Sequence, residues 1–81
     1  MAGEAEIYGA LSEIFADVFQ RPVEVSAALT ARDVQGWDSF KQIEIIMATE
    51  ERFGVRFSTR ELDSLQSVGD LVRVVAGKLP G

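Results

Sequence analysis

The sequence predicts an all-α fold: a small four-helix bundle of three main helices and one short helix, with a long loop between the first two helices. In three segments apolar residues recur every three or four positions, and capping residues, proline or glycine stand at the segment ends. No segment combines a clear strand pattern with a pairing partner. Because the chain has only 81 residues, we expect one domain over residues 1–81.

The first helix is predicted from about Glu4 to Phe19. Its apolar positions have helical spacing: Ile7, Leu11, Ile14, Phe15 and Val18. Pro22 ends the pattern because the residue before a proline is disfavoured in a helix. Residues 20–38 then form the long loop, and a connection of this length in so small a domain is often functional.

The second helix is predicted from about Ser39 to Phe53, and Gly54 follows it as a residue that readily adopts positive φ. One arc of about 140° on this helix contains Phe40, Ile43, Ile46, Met47 and Phe53. Ile45 lies outside that arc. The helix is therefore expected to be apolar on more than one side.

Two helix starts follow residue 54. Ser58 and Glu61 form a capping box, in which the serine caps the helix and the glutamate reaches back, and this box opens a short helix over about 59–64. Ser67 and Asp70 form a similar start for the last helix. The apolar stripe of that helix is Val68, Leu71, Val72, Val75 and Leu79.

Composition excludes several classes of function. The chain has no Cys and no His, so it lacks a thiolate ligand, a Cys nucleophile and the commonest general base. We therefore expect no catalytic residue and no metal site, and the protein is not predicted to be an enzyme. A formal net charge of −5 disfavours nucleic acid as a partner, because phosphate binding requires a basic face.

The acidic residues are unevenly distributed along the chain. Residues 33–51 contain five acidic residues and one basic residue, and a basic protein surface is their natural complement. No apolar run approaches the roughly 18 residues of a membrane span, and the acidic start does not resemble a signal peptide. We expect a cytoplasmic monomer without stable membrane association.

The segment Gly36-Trp37-Asp38-Ser39-Phe40 joins the long loop to the second helix. The plain interpretation is that Ser39 caps the helix, with Gln42 three residues further on, and that Trp37 packs on the edge of the core. An alternative is chemical. A hydroxyl at an exposed helix start lies where the backbone N–H groups and the helix dipole favour a phosphate.

From about Asp33 to Phe57 the chain resembles an acyl carrier protein. That family has a Gly-x-Asp-Ser-Leu motif, an apolar-Glu pair and a Glu-Glu-x-Phe-Gly-like run, which here read Gly36 to Phe40, Ile43-Glu44 and Glu50 to Gly54. The resemblance implies that Ser39 carries a covalent 4′-phosphopantetheine, with Trp37 and Asp38 beside it. The prosthetic thiol would hold an acyl or aminoacyl group as a thioester, so the chain is a carrier and not a catalyst.

The same resemblance implies three kinds of partner: a phosphopantetheinyl transferase, an acyl-loading ligase or synthase, and an acyl transferase. It also makes the second helix their docking face. The implied contact residues are Asp38, Lys41, Ile43, Glu44, Met47, Glu50 and Glu51. Exposed ion pairs are individually weak, so we expect these charges to steer association more than to fix affinity.

Three residues depart from the family pattern. Phe40 replaces the usual Leu, Lys41 stands where an acid is usual, and Thr49 occupies a position that is usually apolar and core-facing. Phe40 and Thr49 are expected to shrink or repolarise an acyl pocket, and Lys41 to affect partner selectivity. The cargo stays open between fatty acyl, polyketide, aminoacyl and specialised lipid pathways.

Two other interpretations differ from the carrier assignment. An unmodified helical docking domain, with Ser39 only as a helix cap, fits the pattern and predicts no covalent modification. Asp33 and Glu44 have the spacing of the first and last ligands of a calcium loop, but Asp38 stands at the sixth position, where that loop requires glycine. Calcium binding is therefore not predicted.

Overall fold

The computed structural model describes residues 3–79. Within that range the helices are α1 (Glu4–Phe19), α2 (Ser39–Phe53), α3 (Thr59–Asp63) and α4 (Val68–Lys78), and one 3₁₀ turn (Ala31–Asp33) lies in the long loop. The all-α prediction of three main helices and one short helix is confirmed. The 3₁₀ turn was not predicted, and α3 is one residue shorter than expected. The expected domain limits, residues 1 and 81, lie outside the described residues.

The core forms where α1 lies against α2 and α4. The stripe predicted for α1 is buried throughout: Ile7, Leu11, Ile14, Phe15 and Val18. It meets the buried residues of α4, which are Val68, Leu71, Val72 and Val75. Both helices therefore bury the face that their spacing predicts. α1 ends at Phe19 because Gln20 takes a left-handed conformation, with φ of 57°.

The face that α2 turns to the core differs from its widest apolar arc. Ile45, Ile46 and Thr49 are the buried residues of this helix, whereas the arc drawn on the sequence includes only Ile46 of the three. Thr49 is fully buried, as its position in the family pattern implied. Its hydroxyl donates to the Ile45 carbonyl oxygen at 2.7 Å, so the buried oxygen has a partner.

The long loop is fastened to the start of α4. The Val68 N–H donates to the Leu29 oxygen and the Gly69 N–H to the Ala27 oxygen, both at 2.9 Å. These bonds satisfy N–H groups that have no partner within the helix. Gly69 permits this close approach, because a Cβ there would lie 3.0 Å from the Ala27 oxygen.

The capping box at α3 is confirmed. The Glu61 N–H donates to Ser58 Oγ at 3.1 Å, and the Ser58 N–H donates to Glu61 Oε1 at 2.8 Å. At α4, Ser67 Oγ accepts from the Asp70 N–H, but the Asp70 carboxylate accepts from the Gln66 N–H rather than from Ser67. This second start is therefore a serine cap without the reciprocal bond.

Candidate functional site

The start of α2 is capped by Asp38 and not by Ser39. Asp38 Oδ1 accepts a hydrogen bond from the Lys41 N–H at 3.0 Å, and Ser39 is the first residue of the helix. The interpretation of Ser39 as the helix cap is therefore wrong. Aspartate and serine are both good caps, so the sequence alone leaves the choice open. Here the cap falls one residue earlier.

This arrangement leaves the Ser39 hydroxyl accessible. Ser39 is exposed, and its Oγ makes no hydrogen bond within residues 3–79. The N–H groups of Ser39 and Phe40 also lack an acceptor in this range. They lie at the positive end of the helix dipole, an environment that favours a phosphate.

Trp37 holds the residues before Ser39 against α1 and α2. Its ring meets Phe15 edge-on at 5.2 Å between centroids and Phe19 at 6.0 Å. Its indole N–H donates to Gln42 Oε1 at 2.8 Å. Edge-to-face contacts and a satisfied indole are favourable for a half-buried Trp. Trp37 thereby fixes the approach of the loop to the serine, as an aromatic packed at the edge of the core.

An open cleft of about 690 Å³ begins at Ser39 and runs between α2 and α3 toward the start of α4. Its lining includes the buried residues Ile45, Val68 and Leu71, which are at most 5% exposed. Polar lining residues include Gln42, Asp63, Gln66 and Ser67. A flexible arm attached at Ser39 thus has apolar surface and hydrogen-bonding groups within the same cleft.

Phe40 and Thr49 do not line this cleft, and their expected effect on an acyl pocket stays a prediction. Phe40 is 77% exposed and points away from the core, while Thr49 is enclosed within it. The residues in and just after the motif that do line the cleft are Trp37, Asp38, Ser39, Gln42 and Ile43. The Gln42 contact was missed because an amide side chain in a helix carries no sequence signal for a tertiary contact.

The outer face of α2 carries the apolar residues named as partner contacts. Ile43 is 56% exposed and Met47 is 62% exposed, and Phe40 lies on the same stripe. Asp38, Glu44 and Glu51 are also exposed. The structure therefore brings these candidate contact residues to one accessible surface.

Besides Asp38, which caps α2, three of the charged residues named as partner contacts have polar contacts within the chain: Lys41, Glu44 and Glu50. Lys41 Nζ donates to the Val18 carbonyl oxygen, near the end of α1, at 3.1 Å and lies 3.7 Å from Glu44 Oε1. This places a cation at the negative end of the α1 dipole. Glu50 Oε2 accepts from the Phe57 N–H at 2.9 Å and so holds the segment that follows α2.

Residues 9–75 match the family model described as a phosphopantetheine attachment site. The chain belongs to the acyl carrier protein family. Like other members it is a carrier, not an enzyme, and it holds acyl groups on a covalently bound phosphopantetheine. The accessible hydroxyl, the free N–H groups and the cleft beside them fit such a group, which supplies a thiol that this Cys-free chain lacks.

Named relatives agree with this assignment. The chain is 36% identical over 72 residues to an acyl carrier protein of Acidothermus cellulolyticus, covering 88% of this chain and 86% of the relative. It is 33% identical over 75 residues to a meromycolate extension acyl carrier protein of Mycolicibacterium aurum, covering 91% and 77%. The solution NMR structure of a holo acyl carrier protein from Geobacter metallireducens superposes with a TM-score of 0.82 at 32% identity, over 88% of this carrier and 83% of that chain.

Two further features of residues 3–79 bear on the site. No cluster of three acidic side chains in this range is arranged to hold a metal ion. No helix in the same range has the length and apolarity to cross a bilayer.

Proposed function

We propose that Ser39 is the residue of this carrier that bears 4′-phosphopantetheine, added by a phosphopantetheinyl transferase. The observation that carries the proposal is that, at the start of α2, one residue caps the helix and the next has an accessible hydroxyl. Asp38 caps the helix through the Lys41 N–H at 3.0 Å, so the adjacent Ser39 hydroxyl is not required for the fold. It is exposed at the positive end of the helix dipole, next to the cleft.

Attachment requires Ser39 Oγ to act as the nucleophile. Its oxygen forms a bond to the phosphorus that links pantetheine to the nucleotide in coenzyme A, and the bond from that phosphorus to the nucleotide phosphate breaks. The hydroxyl proton goes to a base of the transferase, since the neighbouring Asp38 carboxylate is engaged by the Lys41 N–H. Asp38 also lies where it could contact a divalent cation held by the transferase.

Partner enzymes are proposed to dock on the outer face of α2. The exposed positions there are Asp38, Ile43, Glu44, Met47 and Glu51. Lys41 and Glu50 belong to the proposed contact set as well, although their side chains also bond within the chain. The proposed partners are the transferase, an acyl-loading ligase or synthase and an acyl transferase, and the carrier is proposed to act as a cytoplasmic monomer of one domain. Its cargo belongs to a lipid, polyketide or aminoacyl pathway.

Incubation with a broad-specificity phosphopantetheinyl transferase and coenzyme A tests the attachment site. Intact-mass spectrometry should show one added phosphopantetheine on the natural chain and none on Ser39→Ala. Ser26→Ala is the matched control, because Ser26 is an exposed serine of the long loop outside the site, and it should be modified fully.

Two results would contradict the proposal. Modification of Ser39→Ala would place the prosthetic group on another residue. A persistent unmodified mass of the natural chain with several transferases would favour the alternative, an unmodified helical docking domain.

A further inference from the structure

The side-chain amide of Gln42 has one end that is bonded and one that is free. Its oxygen accepts the Trp37 indole N–H at 2.8 Å. Because an indole N–H can only donate, the amide oxygen faces Trp37 and the NH₂ group lies at the other end of the amide. That NH₂ group makes no hydrogen bond within residues 3–79. Gln42 is half-buried and lines the cleft that begins at Ser39, so its N–H donors are available beside the proposed attachment residue.

Trp37 holds this amide in place. Its ring contacts Phe15 and Phe19, with 5.2 and 6.0 Å between ring centroids, and Phe15 is fully buried in the core. A glutamine on a helix surface normally samples several rotamers, and ordering such a side chain on binding costs free energy. The indole bond restricts Gln42 before any ligand arrives. A ligand that accepts a hydrogen bond from Gln42 therefore loses less affinity to this ordering.

The 4′-phosphopantetheine arm has groups that suit this part of the cleft. After its phosphate the arm carries a carbon with geminal methyl groups, then a hydroxyl and an amide carbonyl. Ser39 and Gln42 are three residues apart on α2, so their Cβ atoms lie about 5–6 Å apart. This carbonyl is only a few bonds from the phosphate, which makes it the first carbonyl acceptor of the arm within reach of Gln42. For the geminal methyl groups the cleft provides apolar lining at Ile45, Val68 and Leu71.

We infer that Gln42 binds the phosphopantetheine arm by donating its side-chain N–H to the first amide carbonyl of the arm, and that Trp37 is the residue that positions this donor. The inference rests on the proposed attachment at Ser39. A hydrogen bond between neutral groups, exchanged against water, shifts a population by roughly two- to tenfold. The bond therefore favours an arm that lies along the cleft and still lets the arm leave for a partner enzyme.

NMR spectroscopy of the carrier before and after loading by the transferase and coenzyme A tests this inference. In the natural chain, loading should shift the Gln42 side-chain NH₂ signals, and NOEs should join the geminal methyl groups of the arm to methyl groups of Ile45, Val68 or Leu71. Gln42→Met removes the amide without adding a charge. Gln42→Glu keeps an oxygen for the Trp37 indole and removes the N–H donors. Both variants should weaken these NOEs by roughly two- to tenfold.

Two glutamines provide matched controls. Gln66→Met makes the same change at another glutamine of the cleft lining, which is exposed and whose side chain makes no hydrogen bond within residues 3–79. Gln35→Glu adds the same charge at an exposed glutamine of the long loop, outside the cleft. Both controls should keep the NOEs. Circular dichroism of every unloaded variant must retain the helical spectrum.

Trp37→Phe tests the positioning role. It keeps an aromatic ring beside Phe15 and removes the indole N–H. The NOEs from the arm should fall, but by less than in Gln42→Met, because the amide is still present and is no longer held. Unchanged NOEs would overturn the positioning role of Trp37.

The outcomes distinguish this inference from the proposed attachment. If the natural chain gains no mass, both fall. If it is loaded but the Gln42 NH₂ signals do not move and no NOE appears, only this inference falls. An effect of Gln42→Glu without one of Gln42→Met would mean that charge repels the arm, and the reverse would mean that Gln42 acts only through Trp37. Either result would overturn the assignment of Gln42 as a donor to the arm.

Discussion

The two sides of α2 are both apolar, yet they meet different surroundings. Ile45 and Ile46, at 1% and 7% exposure, lie in the core, whereas Ile43 and Met47 are more than half exposed. Neighbouring positions of one helix, occupied by the same residue type, therefore serve different purposes. Apolarity indicates that a surface is to be covered, but it does not say whether the chain itself or a partner covers it.

The covering element decides the difference. α1 lies against α2, and Ile45 and Ile46 are buried in one core cluster with residues of α1 and α4. Within residues 3–79 the side of α2 that bears Phe40 is left exposed. On a helical wheel, the side of α2 that contains Phe40 is more apolar than the side that contains Thr49. Hydrophobicity alone would therefore predict that the exposed side faces the core. For Ile43 and Met47 the family resemblance predicts exposure instead, because it implies that these two residues contact partners.

The largest expected effect is on the free energy of unfolding, which should respond differently to substitutions on the two sides of α2. Ile45→Ala should lower the free energy of unfolding by about 2–5 kcal/mol, because it removes buried methyl groups and leaves a cavity. Ile43→Ala, the matched change on the exposed side, should alter it by no more than about 0.5 kcal/mol. Urea denaturation followed by circular dichroism measures both. Equal losses at the two positions would mean that Ile43 is covered in solution and would contradict the contrast.

Much of the fold could be predicted from local signals. α1 and α2 span the predicted residues, because Pro22 and Gly54 mark where regular structure must end, and the Ser58–Glu61 box opens α3 at the predicted residue. These signals act within a few residues of the backbone they control. They need no knowledge of what packs against the helix.

The site was less predictable because its defining contacts join distant residues. The Trp37–Gln42 bond, the Lys41–Val18 bond and the Glu50–Phe57 bond each depend on how a side chain is placed after the chain has folded. The choice between two adjacent capping residues is also decided by backbone geometry at the loop junction. The motif predicted Ser39 as the attachment residue, and only the structure showed that the capping residue is Asp38 and not Ser39.

Two helical glycines, one covered by the long loop and one open to solvent, provide a second test, with a smaller expected change in unfolding free energy. Gly69→Ala puts a Cβ 3.0 Å from the Ala27 oxygen and 3.2 Å from its Cβ, so the long loop must shift. We expect a loss of about 1–3 kcal/mol in unfolding free energy. Gly9→Ala, in the interior of α1 with no atom within 4 Å of the new Cβ, should gain about 0.5–1 kcal/mol. A stabilising Gly69→Ala would show that the loop is not held tightly on α4.

The smallest effect compares a bonded carboxylate with an unbonded one. The Ser58 N–H, and after it the Lys78 ammonium at 2.9 Å, hold the pKa of Glu61 below its ordinary value of 4.5. A lowered folded-state pKa stabilises the fold above the unfolded-state pKa, and this contribution is lost as pH falls through the folded value. Glu61→Gln keeps an oxygen for the capping box but loses the charge. Its urea midpoint should therefore fall less steeply than that of the natural chain as the pH is lowered below about 4.5.

Glu51→Gln is the control for this titration, since Glu51 makes no bond or ion pair within residues 3–79. Its pH profile should follow that of the natural chain. Some acid sensitivity should persist in Glu61→Gln, because the Gln66 N–H and, after it, the charge of Arg73 also lower the pKa of Asp70. If Glu61→Gln and Glu51→Gln flattened the profile equally, general charge repulsion rather than the Glu61 contacts would govern the acid response. Glu51 on α2 and Glu61 on α3 would then contribute equally to the pH dependence of stability. The distinction between a carboxylate that stabilises the fold and one that is available to a partner would not hold.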